Sequence, residues 1–424
     1  MSTMSGIRPE QGPPLSVPLS FFAFAPLSLV VTGALLVAHG VTSEASAYTP
    51  TSVALVHAAS VGLLLPVMLG ALYQMLPVVA GAVLPVPRLA HLALALWLAG
   101  AASLLYAQAA SSGAAFALAW PLLGAAMLTF LVPAAWAIAR SEARTPTARG
   151  LGLALAALAL VVLAGARLAA LRGGVAGAIG AHTSYTDVRV AHLSIGVLAW
   201  VGGLVAAVSW QVLPMFFLAP APSRAITTSS LACTAISLVL LAVASFAALP
   251  VPTWSLAIPA AISAWVLAPG WAITALRARK RKRKDPTLWF WWLGAALAPL
   301  CLALAALTLA TDWPIAPLLL GLCVAWGWAG TIVHGMLLRI VPFLVWLHWC
   351  APHVGSREVP SAKELLPDRE ARVGFVAHAL ALLLGAIGVT SQHELAWRAF
   401  GLGLVVVGLS LGRAMLFTIR RART

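Results

Sequence analysis

Acidic side chains are scarce in this chain: 424 residues carry 11 Asp and Glu against 26 Lys and Arg, and charged residues of every kind make up 9%. A soluble domain carries about a quarter, so a water-exposed globular fold is excluded. Cysteine is equally thin. The four present, Cys233, Cys301, Cys323 and Cys350, lie in or beside apolar segments without a CxxC pair, so no disulfide framework is expected. The first sixteen residues are polar and proline-rich and lead into a full-length apolar run, which does not read as a cleavable signal peptide.

The few carboxylates are also absent from the middle of every apolar run. Glu10, Glu44, Glu142, Asp187, Asp285, Asp312, Glu358, Glu364, Asp368, Glu370 and Glu394 all fall in predicted loops or at helix ends. Proton- and sodium-coupled transporters use intramembrane acids as carriers, so ion-coupled transport is disfavoured, while uncoupled passage stays open. Histidine is left as the main titratable group at depth, and neutral imidazole is a common metal ligand.

What the chain has is hydrophobic length. Apolar residues make up 62% and the mean hydropathy is +0.98. A hydrocarbon core of about 30 Å needs roughly 20 apolar residues per crossing. Charged and Pro/Gly-rich breaks divide the sequence into twelve such spans, near 18–39, 52–83, 87–109, 113–139, 148–171, 187–218, 225–248, 252–276, 287–310, 314–347, 373–391 and 396–419. The expected fold is an all-α, polytopic integral membrane protein forming one transmembrane domain over residues 1–424. It has a cytoplasmic N-terminal tail (1–17), a basic cytoplasmic loop (277–286) and a second cytoplasmic loop (348–372).

Basic residues are retained on the cytoplasmic side during insertion. With an even helix count and both termini inside, 22 of the 26 Lys and Arg fall on that side, leaving Arg167, Arg172, Arg189 and Arg398 outside. The formal charge of +15 and the tract "RARKRKRKD" at 277–285 then read as a loop held against anionic headgroups, with the lipid bilayer as partner and no nucleic acid.

An internal echo runs through three spans. The second ends in "YQMLPVVAG" (73–81), the sixth in "WQVLPMFFL" (210–218) and the tenth in "LRIVPFLVW" (338–346). Pro77, Pro214 and Pro342 are four helices apart each time, so the twelve spans read as three pseudo-repeated four-helix units. Each of the three helices carries a histidine. His57 and His192 precede their prolines by 20 and 22 residues, which places them within about 3 Å in depth. His334 precedes Pro342 by 8, about 18 Å deeper. Glycines follow the first two, Gly62 and Gly70 after His57 and Gly196, Gly202 and Gly203 after His192. They open surfaces where another helix or a flat cofactor approaches closely. Pro66 is expected to kink the second span. "HWCAPH" (348–353) brings ligand-type residues together at the inner end of the tenth.

His57, followed by "LLPVMLGALYQMLPVVAGAVLPVPR", resembles the second helix of haem-copper oxidase catalytic subunits (subunit I), as does the twelve-helix layout with inner termini and three four-helix arcs. The resemblance implies that His57 occupies the low-spin haem ligand position. It also implies that His192 occupies the position of the first copper ligand, and that Arg398, before the twelfth helix, pairs with haem propionates. A bacterial-type inner (cytoplasmic) membrane follows as location. The chain departs from the family where copper chemistry needs it. Residues 225–248 have no histidine, the sixth-helix motif is replaced by "HLSIG", and Leu320 and Leu322 stand where the tenth helix of the family has a His-x-His pair.

The expectation is therefore a divergent relative without copper and not a complete terminal oxidase. It would bind haem b through His57, with His192 the first candidate for the second axial bond and His39, His182 and His393 behind it; His334 is a further cofactor candidate. Two imidazoles favour electron transfer, as in a respiratory chain, whereas one leaves iron open to nitric oxide or oxygen. The alternatives are a transporter or assembly factor for haem, copper or a small solute on the same scaffold, and a structural subunit accompanying a cytochrome or other respiratory subunit.

Overall fold

A computed structural model describes residues 11–41, 46–180, 182–280, 285–356 and 358–423. Most of the N-terminal tail (1–10), residues 281–284 of the basic tract and Arg357 lie outside the described residues. Within them, twelve helices are long and apolar enough to cross a membrane. In chain order they are α1 Ser16–His39, α2 Pro50–Ala80, α3 Leu89–Ala110, α4 Gly113–Arg140, α5 Pro146–Arg172, α6 Tyr185–Phe217, α7 Arg224–Ala244, α8 Thr253–Arg277, α9 Thr287–Ala310, α10 Ala316–His353, α11 Asp368–Ser391 and α12 Glu394–Arg421. The protein is a polytopic all-α membrane protein.

The helix starts are written locally. Thr49, Ser112, Thr145, Ser184 and Ser223 each accept a hydrogen bond from the backbone N–H three residues on, and Pro50 and Pro146 fill the first helical position, where a missing N–H costs nothing. The Ala-rich α3 and α4 are separated by Ser111, left-handed at φ 52°, followed by the capping Ser112. The nine described carboxylates all sit in loops or in first helical turns, as read from the sequence.

Two compact units make up the fold. The first comprises residues 1–13 and 71–282, the second residues 14–70 and 283–424, so one division falls inside α2. In the first unit α3 and α4 form a hairpin closed at Gly100, where an added Cβ would meet Leu123 N at 2.9 Å, and α5 packs on α6 with Gly150 against Ala207 Cβ. Arg167 donates to the carbonyls of Ala178, Ile179 and Ser245 and lies 4.6 Å from the Phe246 ring, tying two loops together.

In the second unit α1 and α12 cross at near contact. A Cβ on Gly33 would meet Gly401 O at 2.4 Å, and one on Gly401 would meet Gly33 O at 2.7 Å. Small residues of this kind let helices pack by dispersion where lipid offers no hydrophobic drive. Arg339 pairs with Asp285 at 3.0 Å, both about four-fifths buried, and the second carboxylate oxygen accepts from Thr287 N and Oγ1. The Arg413–Glu370 ion pair joins α12 to the start of α11, and the Arg423 guanidinium over Trp349 joins the C-terminal ends of α12 and α10.

The three echoed spans share a feature that sequence does not show. Each contains a π-helical stretch, Ala58–Leu64 in α2, Ile195–Gly202 in α6 and Cys323–Gly330 in α10, and each begins 19 residues before its proline. The wider turn bonds i to i−5, as Leu65 N–H to Ser60 O and Gly203 N–H to Leu198 O show. Two further such stretches lie in α8 at Ser263–Leu267 and at the end of α10 at Trp346–Cys350. These four helices are also the most enclosed, with 56–61% of their span windows buried against 22–39% elsewhere. Such wide turns recur at functional sites and bend the helices that contain them.

Candidate functional site

His57 closes the α-helical start of α2, and the π stretch begins at the next residue. Its ring Nδ1 lies 2.8 Å from the Val53 carbonyl one turn back, and a carbonyl only accepts, so Nδ1 carries the proton and Nε2 the lone pair. That is the tautomer of an imidazole that ligates through Nε2, where a carbonyl fixes the other nitrogen. The ring is half-buried. His348 makes the same local bond to Leu344 O at 2.9 Å, so the bond alone does not mark a ligand.

His192 sits three residues before the π stretch of α6. Its Nδ1 is 2.9 Å from Val161 O on α5, which fixes the same tautomer across two helices. The ring lies over Gly165, whose missing Cβ would stand 2.8 Å from Cε1 and 3.2 Å from Nδ1. The position is therefore built for this imidazole, with Val161 and Gly165 on one face of α5. His57 belongs to the second unit and His192 to the first.

The glycines prove to serve helix packing. A Cβ on Gly62 would meet Ser28 Oγ at 3.0 Å, and one on Gly70 would meet Phe21 and Phe22 at 2.9 Å, so α1 occupies the surface left open beside His57. Gly196 faces Val161, and Gly203 faces Thr234. None of these four positions is a cradle for a flat cofactor.

His334 is 3% exposed and His378 fully buried, and the two form a pair that sequence reading missed. Nδ1 of His334 lies 3.3 Å from Nδ1 of His378, while Nε2 of His378 lies 2.7 Å from Thr331 Oγ1 and 3.2 Å from Trp326 O. Trp326 stacks on His378 at 4.2 Å, and Phe290 lies 4.8 Å from His334. The available signal was an ionisable residue in the body of a span, a functional marker by default; only α10–α11 packing supplies the partner.

Arg398 lies within α12, in its second turn, and not in the loop before it. Nε and Nη2 bond Glu394 Oε1 at 3.0 and 2.7 Å, and Nη1 donates to Val37 O at 2.8 Å. The guanidinium thus joins the end of α1 to the start of α12. His393 caps α12 through Nδ1, accepting from Leu395 N. Among the described residues no group of three or more His, Cys, Asp or Glu converges in metal-binding geometry, "HWCAPH" included. No protein-family model and no curated protein sequence matches the chain.

Proposed function

We propose that the protein binds haem b, with His57 as an axial ligand, for electron transfer or for binding nitric oxide or oxygen in a bacterial-type inner membrane whose cytoplasmic side holds both termini. The observation that carries this reading is the tautomer of His57: the Val53 carbonyl leaves the lone pair on Nε2, in a ring set at the entrance of a π turn in one of the most enclosed spans. His192 carries the same tautomer at its own π turn. The 19-residue spacing common to α2, α6 and α10 supports three related four-helix units. Bound haem would supply a one-electron centre or an open iron position. The chain's own part is to fix the imidazole plane and keep its iron-facing nitrogen deprotonated.

Spectra of the purified protein, oxidised and dithionite-reduced, with pyridine extraction, test the reading. A haem b spectrum that is lost in His57→Ala and kept in His348→Ala is expected, because His348 makes the same local hydrogen bond in a π turn of its own, Trp346–Cys350, but stands past Pro342 at the far end of its span, whereas His57 stands 20 residues before Pro77. A His192→Ala variant with wild-type haem content would remove His192 from the ligand set. Colourless protein from haem-replete cells would favour the transporter or assembly-factor reading of the same scaffold.

A further inference from the structure

The sequence has four cysteines and no CxxC pair, yet two of them meet in space. Cys301 on α9 and Cys323 on α10, both in the second unit, bring their sulfurs to 3.4 Å, the Cys301 S–H donating to Cys323 Sγ. The Cys323 S–H donates in turn to the Leu297 carbonyl at 3.7 Å, one turn before Cys301 on α9. Each thiol therefore bonds across to the other helix, which a cysteine serving only as a small hydrophobe has no need to do. The two helices are consecutive, joined by residues 311–315, and the sulfurs lie about 10–14 Å along each helix from that connection.

Cys301 is fully buried and Cys323 nearly so. Apart from these two, α9 has no ionisable side chain, and neither has α10 between Ala316 and Val333. A thiolate here would be an unpaired charge in a low-dielectric interior, so thiolate and thiolate–metal chemistry are disfavoured. A dithiol and a disulfide are both neutral, and passing from one to the other leaves no buried charge. With an S–S bond of about 2.05 Å, the sulfurs close by roughly 1.4 Å, about 0.7 Å each, a modest turn about χ1.

We propose that Cys301 and Cys323 form a reversible redox pair, at which a neutral peroxide converts the two thiols to a disulfide that staples α9 to α10. Hydrogen peroxide is uncharged and water-sized, so it enters hydrocarbon from which charged oxidants and glutathione are held out. Leu300 and Leu302, on either side of Cys301, are exposed, so the pair lies just beneath the outer surface of α9. Cys323, the less buried, attacks a peroxide oxygen: an S–O bond forms, the O–O bond breaks, and the thiol proton leaves with the departing oxygen as water. Cys301 then attacks the sulfenic sulfur: the S–S bond forms, the S–O bond breaks, and the second thiol proton leaves with that hydroxyl as water. Two thiols give up two electrons, and one peroxide takes them to become two waters. Cys323 opens the π stretch Cys323–Gly330, and a Cβ on Gly327 would stand 3.6 Å from its sulfur. The staple thus pins the first residue of the wide turn that carries Trp326, the residue stacked on His378. The pair does not depend on haem.

The test treats the full-length protein in phosphatidylcholine liposomes with hydrogen peroxide, removes the excess with catalase, then denatures the protein and labels remaining thiols with a mass-adding maleimide. Labels are expected to fall from four to two and to return to four after dithiothreitol. Peptide mapping is expected to join the segment holding Cys301 to the one holding Cys323. Cys301→Ser and Cys323→Ser should each abolish that link, and a Cys233→Ser, Cys350→Ser double variant should keep it. Four labels after peroxide, labels lost without a Cys301–Cys323 peptide, or a link to Cys233 or Cys350 in its place overturns the pair. Should a variant fail to fold, the peptide map of wild type alone decides.

Discussion

Replacing Gly165 by alanine tests how tightly His192 is held. The new methyl would lie 2.8 Å from the ring Cε1, and ordinary contact begins at 3.4 Å, so the imidazole must retreat by 0.6 Å or more. Val161, the acceptor for its Nδ1, is one turn away on the same helix, so retreat from Gly165 also stretches that hydrogen bond. The crowding costs about 1–3 kcal/mol and the weakened bond about 0.5–1.5 kcal/mol. Alanine returns about 1 kcal/mol of helix propensity, so the expected net loss is about 1–3 kcal/mol. Gly152→Ala on the same helix is the control, since its Cβ would meet nothing closer than Ile138 at 3.8 Å; it should be neutral or stabilising by up to about 1 kcal/mol. Unfolding in mixed detergent micelles, followed by fluorescence of the 17 tryptophans, gives both values. The double-mutant cycle is decisive, because in a His192→Ala background the Gly165→Ala penalty should vanish. Equal effects of Gly165→Ala and Gly152→Ala, or a penalty that survives removal of His192, would refute the packing described.

Gly401→Ala should destabilise by about 1–3 kcal/mol through the α1–α12 crossing, while Gly124→Ala, with nothing within 4 Å, should not; thermal unfolding in detergent compares them. Arg167→Lys keeps the charge but cannot reach three carbonyls in a fixed fork, so faster hydrogen exchange is expected at 178–180 and 245–248. In the loop before α11, Glu364 accepts from Ser361 N and Oγ, and these bonds hold its carboxyl below the usual range. A depressed carboxyl contributes stability that is present above its unfolded pKa and lost as pH falls through the folded one. The 361–364 turn should therefore loosen only in acid below the ordinary Glu range, and Glu364→Gln should loosen it at neutral pH, read by amide exchange.

The twelve spans were legible because hydropathy and length alone define a crossing, and the α3–α4 break because Ser111 and Ser112 are turn and cap residues. The placement of carboxylates at span ends was legible for the same reason: an unpaired charge in hydrocarbon is too costly. The π stretches were not, since "AASVGLL", "IGVLAWVG" and "CVAWGWAG" are as apolar and as small-residue-rich as the α-helical turns beside them, and a change from i−4 to i−5 bonding leaves no compositional mark. The proline echo nonetheless gave their register. Gly62 and Gly70 signalled close approach without saying of what, and the structure fills them with Ser28, Phe21 and Phe22. His334 and His378 are 44 residues apart on separate helices, and nothing local couples them.

The most direct measurement of the haem reading is the reduced-minus-oxidised spectrum and pyridine haemochrome of wild type beside His57→Ala. Wild type should carry haem b and the variant should lose most of it while remaining folded; a haem-free wild type from haem-replete cells, or a variant with undiminished haem, would contradict it.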